Sequence, residues 1–469
     1  MAGGNWETQN KRLPGFYLNV RSAPYAPEAA GERGVVAIAA ANLWAPQGEF
    51  ASLESPGDAF GKLGYDITHE KMRFARDIFR GCGRSPGAAR IDAFSLPTAG
   101  GAAASAELFG SDPVTVTARY PGARGNDISV RLAPDPDTPL PGDAGYAVYV
   151  FTTYVDGVAR DEQRAGRYAS PTDFTQAAIG DLADSAWVRI GGTPGRAINE
   201  AAAAALSGGA DGAVAPGGYA AFLEQLEPRQ FNVLAYDGAD AAVKASMALF
   251  AQRLAREHGR YAQLVAAGCP GADSEHVISV KNGVRLADGT DVPPERAVWW
   301  VAGATAGAGV RTSLTYAAYP DAAEPSPRLA NRELEAAAAE GSLAFFEEFG
   351  EVKVLTDVNT FTSYTQGKGP DFSSNRVIRT LHAIANDLYA LFSKQFIGVA
   401  DNDATGRGLF RAAIVGYVNG LQGNGAVQGF EPEDADVLAG ADAKSVEVRL
   451  AVKPTHAVEK IYMAVTLTA

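Results

Sequence analysis

The sequence predicts an α/β protein that carries an all-β insertion and ends in an α+β segment. Three observations predict it. Strand and helix signals alternate from Phe231 to Trp300, the pattern of a parallel sheet. A Gly-, Ala-, Pro- and Asp-rich stretch from Gly100 holds strand signals separated by turn clusters. The final stretch joins long helix-spaced segments to the cleanest period-two patterns in the chain.

The elements follow in order. Pro14-Gly15 marks a turn, after which Phe16, Leu18 and Val20 alternate with Tyr17, Asn19 and Arg21. This strand has no hairpin partner nearby in sequence, so it pairs with something distant or with another chain. Val35 to Ala39 reads as a buried strand, and Thr68 to Phe79 as a helix that stops at Gly81 to Gly87. Val114 to Thr117, Asp127 to Leu132, Tyr146 to Val155 and Trp187 to Ile190 are strands of the all-β part. Phe231 to Ala235 is a strand. Val243, Met247, Phe250 and Leu254 then fall at helical spacing. Gln263 to Ala266 and Val277 to Val280 are further strands, and Pro293-Pro294 opens a helix through Trp299 and Trp300. Glu351 to Thr356 is a strand, and Asn375 to Phe396 and Leu409 to Leu421 are helices. Two strands finish the chain: Val446, Val448, Leu450 and Val452 on one, and Ile461, Met463, Val465 and Leu467 on the other. The implied domains are 1–22, a terminal arm; 23–98, an α/β segment packing with the core; 99–192, the β insertion; 193–350, an α/β domain; and 351–469, an α+β domain.

Composition narrows the function. At roughly 150 residues per domain, 469 residues make about three. An apolar share of 46% with 20% charged residues describes a folded chain. A net charge of −13 argues against a surface that grips nucleic acid. Two cysteines, Cys82 and Cys269, make no disulfide framework and fit a reducing compartment. Met1 to Arg12 is polar and lacks the apolar core of a signal peptide. The longest apolar stretch, Ala297 to Val310, is shorter than the roughly 18 residues a bilayer span needs.

Catalytic and metal signatures fail one by one. There is no phosphate-binding G-x-x-x-x-G-K-Ser/Thr loop, no H-E-x-x-H and no Cys-x-x-Cys. Gly83-Arg84-Ser85-Pro86-Gly87 matches G-x-S-x-G, but a nucleophile elbow needs a strand before it and a helix after, and here a helix precedes and Pro86 follows. Asp401-Asn402-Asp403 begins like a calcium loop, yet the twelfth position is Ala412 rather than Glu; helix capping explains it better. Asp237-Gly238 and His258-Gly259 echo two parts of a subtilisin triad, with no activated serine to complete it. The expectation is therefore no catalytic residue, no metal and no cofactor.

Seven stretches, in order, resemble the contractile-tail sheath proteins of bacteriophages and phage-tail-like bacteriocins. They are Leu13 to Tyr17, Tyr120 to Ile128, Leu206 to Gly212, Val358 to Thr362, Asn375 to Leu381, Gly406 to Phe410 and Val458 to Met463. The likeness is to the compact sheaths of Gram-positive myophages and defective phages, and it spans nearly the whole chain. It implies a β-sandwich inserted near residue 100, a non-catalytic middle domain with a subtilisin-like fold, and a C-terminal domain facing the tube.

The resemblance also implies partners and sites. Hexameric rings of the chain stack helically around a tail tube, with baseplate and tail terminator proteins at the ends. Neither nucleic acid nor membrane is bound directly. The place is a virion tail or tail-like particle assembled in the bacterial cytoplasm. Phe16, Tyr17, Leu18 and Val20 at one end, and Ile461, Met463, Val465 and Leu467 at the other, would exchange strands between subunits. Arg376, Arg379, Lys394, Arg407 and Arg411 are the candidates for a polar grip on the tube. The alternatives are a subtilisin-fold hydrolase, or the sheath of a related injection or secretion system.

Overall fold

The computed structural model describes residues 2–4, 15–17, 33–109, 114–138, 148–165, 185–191 and 202–467. The chain divides into two compact units, one of residues 33–382 with 454–469, the other of residues 1–32 with 383–453.

The larger unit is built on a seven-stranded sheet. Its strands lie in the order Ser342–Leu343, Val277–Val280, Gln263–Ala267, Val233–Tyr236, Val35–Ala41, Arg90–Leu96 and Phe50–Leu53. All neighbours are parallel except Phe50–Leu53, which runs antiparallel at the edge. A parallel sheet is covered on both faces, which is why its strands read as continuous apolar runs. Val36, Ile38, Val233, Ala235, Val265 and Ile278 face one core. Their neighbours Val35, Ala37, Leu234, Leu264, Ala266 and Val277 face the other. Helix Ala241–His258 brings Met247, Phe250 and Leu254 to the second core, with Asp240 capping its first amides.

The first core is filled by helix Pro294–Gly307, which is buried from Ala297 to Thr305 and carries a fully enclosed Trp300. The long apolar run seen in the sequence is therefore an interior helix. Helix Arg73–Phe79 crosses it closely enough that a Cβ at Gly303 would fall 1.9 Å from the Ile78 carbonyl oxygen, so only glycine fits. No helix among the described residues is long and apolar enough to cross a membrane.

Two antiparallel sheets form the insertion around one apolar core. One has the order Val158–Ala165, Tyr149–Val155, Ile128–Pro134, Ala202–Ala205; the other Val188–Gly191, Val114–Ala118, Ser105–Leu108. Val116, Val130, Leu132, Phe151 and Val188 meet between them. The first sheet takes in Ala202–Ala205, beyond the residue 192 boundary set by the sequence. An alanine run has little strand propensity and announces no strand.

In the smaller unit, helix Ala404–Gly423 packs Phe410 edge-on against Phe392, 4.1 Å between ring centres, and against Phe396 at 4.7 Å. Strands Ala435–Ala439 and Val446–Leu450 make a two-stranded antiparallel sheet. Ala2–Gly4 pairs in parallel with Gly15–Tyr17.

Candidate functional site

The motifs that mimic enzyme sites all have structural duties. Ser85 is buried, and its hydroxyl donates to the Ala304 carbonyl at 2.8 Å within a tight Cys82–Ser85 turn. Asp237 accepts the Trp299 indole N–H at 3.0 Å, and burial raises its carboxyl above the usual range. His258 lies 3.2 Å from Glu227, at the end of its helix. Asp237 and His258 are thus engaged with different partners. Asp403 caps helix Ala404–Gly423 by accepting the Gly406 amide at 2.7 Å, as a capping reading requires. Among the described residues no group of three or more metal-ligating side chains forms.

The C-terminal segment behaves differently from its sequence pattern. Ile461, Met463, Val465 and Leu467 alternate as a strand should, yet none lies in a strand here. Their side chains are 84, 81, 79 and 95% exposed. A strand needs a neighbouring backbone to complete its hydrogen bonds, and among the described residues this segment joins none of the sheets. The segment is fixed just upstream. Thr315 donates its hydroxyl proton to Glu459 at 2.8 Å and accepts the Asp357 amide at 3.0 Å, while His456 lies 3.3 Å from Asp371. At the other terminus Phe16 and Tyr17 fall in the short strand Gly15–Tyr17, and Leu18 and Val20 lie outside the described residues.

The five cationic candidates separate by environment. Arg379 is 9% exposed and donates to Asp357 at 2.7 Å and to the Thr312 carbonyl at 2.6 Å, so it serves inside its unit. Arg376, one turn before it, is half-buried; burial and the charges of Arg379 and Arg311 weaken its hold on its proton. Arg407 bonds the Asn402 side chain at 3.0 Å, and Arg411 donates to the Ala435 carbonyl at 2.7 Å. Lys394 is exposed.

Sequence reasoning quoted two motifs without seeing that they meet. Tyr120 to Ile128 and Leu206 to Gly212 form the neck where the insertion leaves and rejoins the α/β body. Ala102 pairs with Ala210, and Ser105 with Ser207. Asn126 and Gly209 bond reciprocally at 2.8 Å, as do Asn42 and Gly212 at 3.0 Å. Asp211 accepts the Ala123 amide at 2.8 Å and pairs with Lys71 at 2.8 Å. Arg124, 4% exposed, is the centre of the neck. Its guanidinium donates to the Gly64 carbonyl at 2.8 Å, to both Asp156 oxygens at 2.7 and 2.8 Å and to Asp127 at 3.1 Å, over the Tyr65 ring at 4.7 Å. Burial opposes this charge, but the two carboxylates outweigh it and hold the proton more tightly than usual. Trp44 and Trp187 stack beside it with ring centres 5.5 Å apart.

The chain is similar to known proteins along its length. The family described as phage tail sheath protein central domain matches residues 212–360, and the phage tail sheath C-terminal domain matches residues 367–468. The phage-like element PBSX protein XkdK of Bacillus subtilis (strain 168) is 31% identical over 99% of both chains. The crystal structure of the sheath tail protein from Desulfitobacterium hafniense is 36% identical, with a TM-score of 0.77, covering 96% of this chain and 99% of that one. The contracted helical sheath of the anti-feeding prophage shares the fold, with a TM-score of 0.53 at 13% identity over 97% of this chain and 99% of that one. Matched along its whole length by such relatives, the chain belongs to the phage tail sheath family.

Proposed function

We propose that this chain polymerises as a helical contractile sheath around a tail tube and shortens to drive that tube through a bacterial envelope. The observation that carries the reading is the exposed apolar row Ile461, Met463, Val465 and Leu467 in a chain whose last hairpin has only two strands. A two-stranded sheet is marginal alone and offers open edges. A strand-patterned segment that pairs with no strand among the described residues supplies what such an edge lacks, in a second copy of the chain. Alternate side chains fix the register, and the main-chain bonds keep subunits tethered while they rotate. Phe16 to Val20 would add from the other terminus.

Contraction then trades one subunit interface for a larger one. About 200 Å² of additional apolar burial per subunit gives ~5 kcal/mol before desolvation and ordering costs. Rigid bodies linked by extended arms move between discrete packings. The α/β body acts as a non-catalytic, subtilisin-like scaffold. The grip on the tube belongs to the C-terminal domain, is polar and releasable, and runs along residues 407–424 with Lys394 as a further candidate. Arg376 and Arg379 remain the weaker candidates because Arg379 is occupied internally. Tail tube, baseplate and terminator proteins complete the particle, which forms in the bacterial cytoplasm.

Deletion of residues 460–469 tests the reading. The truncated protein should fold and remain monomeric, whereas the full chain forms hollow cylinders in electron micrographs. Normal cylinders from the truncated chain would refute strand exchange at this end.

A further inference from the structure

Helix Asn375–Gln395 carries the chain out of the larger unit, whose last residue before the change is His382. Its first turns are held to the sheet by many bonds. Asn375 donates to Asp357 at 3.0 Å and accepts from Gln263 at 3.0 Å, and Thr380 donates to the Val310 carbonyl at 3.2 Å. Val377 and Ile378 are buried beneath them. One contact of a different kind closes the row. The His382 ring stacks on His276, with centres 5.3 Å apart and planes 16° from parallel, and Tyr261 lies 5.3 Å from His382. His276 sits at the start of strand Val277–Val280, is 7% exposed, and leaves its Nδ1 buried with no hydrogen-bond partner.

We infer that the His276–His382 stack is an acid-operated latch: it seats the start of helix Asn375–Gln395 on the sheet at neutral pH and releases it when the rings take up protons. Two neutral imidazoles stack without penalty, whereas two cations at this separation repel, with His276 buried and His382 half-buried. The surrounding charges decide the outcome. Facing His276 are Glu275, whose carboxylate lies 3.7 Å from Nε2, and the cations Lys368 and Arg256. Facing His382 are His276 and Arg379, the latter on the same helix. Glu275 is already engaged by Lys368. Asp357 likewise engages Arg379, so both nearby carboxylates are already paired with cations and Arg256 adds a third positive charge. Burial lowers the proton affinity of both rings, and His382 is lowered most. Glu275 favours the first proton on His276. The second proton, on His382, has no carboxylate to receive it, and the ring must leave the stack.

The latch depends on the geometry of the larger unit alone, so its failure would leave the sheath reading untouched. Hydrogen exchange of the full chain tests it, with rates corrected for the intrinsic effect of pH. Between pH 7.5 and 5.5, peptides covering residues 375–390 should lose at least tenfold in protection relative to strand Gln263–Ala267. Each proton taken up favours opening ~10-fold per pH unit, so two give ~100-fold. The His382→Gln variant and the His276→Phe/His382→Phe variant, each verified as folded by circular dichroism at pH 7.5, should keep their protection at pH 5.5. Unchanged protection in the unmodified chain overturns the latch, whatever the variants do. Equal loss in a folded variant also overturns it.

Discussion

Replacing Arg124 by Met tests whether the neck is held by one buried guanidinium. The substitution keeps an apolar stem but removes four hydrogen bonds, to Gly64, Asp127 and twice to Asp156. Each bond to a charged group contributes about 1.5–3 kcal/mol. The full sum is not expected, because Asp127 and Asp156 are 51 and 50% exposed and regain water once the arginine is gone. The Gly64 carbonyl loses its partner outright, and the Tyr65 ring keeps the Lys71 ammonium, 5.4 Å away, as its cation. Together these place the loss at about 3 kcal/mol, or ~150-fold in the opening equilibrium. Arg124→Lys should recover less than half, since an ammonium cannot span both Asp156 oxygens and the Gly64 carbonyl. Urea unfolding followed by tryptophan emission reads it out, because Trp44 and Trp187 stack at the same neck. A loss below 1 kcal/mol with native emission would refute the assignment, and would mean that the Asn42, Asn126 and Asp211 bonds suffice.

Three further outcomes follow from the same geometry. Asp403→Ala removes the cap of helix Ala404–Gly423 and should lower stability by about 1 kcal/mol, with no response to calcium in either form; a calcium-dependent shift in melting would contradict the capping role. Ser85→Ala loses the buried bond to Ala304, again about 1 kcal/mol, and should leave sheath polymers of normal length in micrographs. Stability should also depend on acid through the histidine pair. Both rings bind protons less readily folded than unfolded, so the unfolded chain takes them up first as pH falls. The contribution is complete above the ordinary histidine value of about 6.5 and is lost progressively below it. Melting curves from pH 8 to 5 that do not change on His382→Gln would disprove this linkage.

Much of the fold was legible because burial writes itself into local sequence. Val233 to Tyr236, Gln263 to Ala267 and Val277 to Val280 are covered on both faces and appear as apolar runs. Helices such as Asn375–Gln395 show their spacing for the same reason. What stayed hidden is non-local. Nothing near Val36 announces that it lies beside Val233 in the same sheet, or that the segments on either side of the insertion make one body. The neck motifs were visible as words, but the bond from Asn126 to Gly209 crosses 83 positions. Charge is read no better. Arg376 and Arg379 look alike on a helical wheel, and only packing reveals that Arg379 is spent on Asp357.

The tail inverts this relation between pattern and structure. In Val446–Leu450 a period-two pattern finds its partner in Ala435–Ala439, just before it in sequence, and forms a strand. In Ile461 to Leu467 an equally clean pattern finds none among the described residues and stands exposed. A pattern fixes what a segment can pair with, not whose backbone it meets. Four apolar side chains at about 80% exposure or more are costly to keep in a monomer, at roughly 1.5–3 kcal/mol each forgone by leaving them unburied. A second copy of the chain, as proposed above, would supply that burial. Under the strand exchange proposed above, this legible strand is not formed in the single chain because a neighbouring copy completes it, and the same free energy would hold the polymer together.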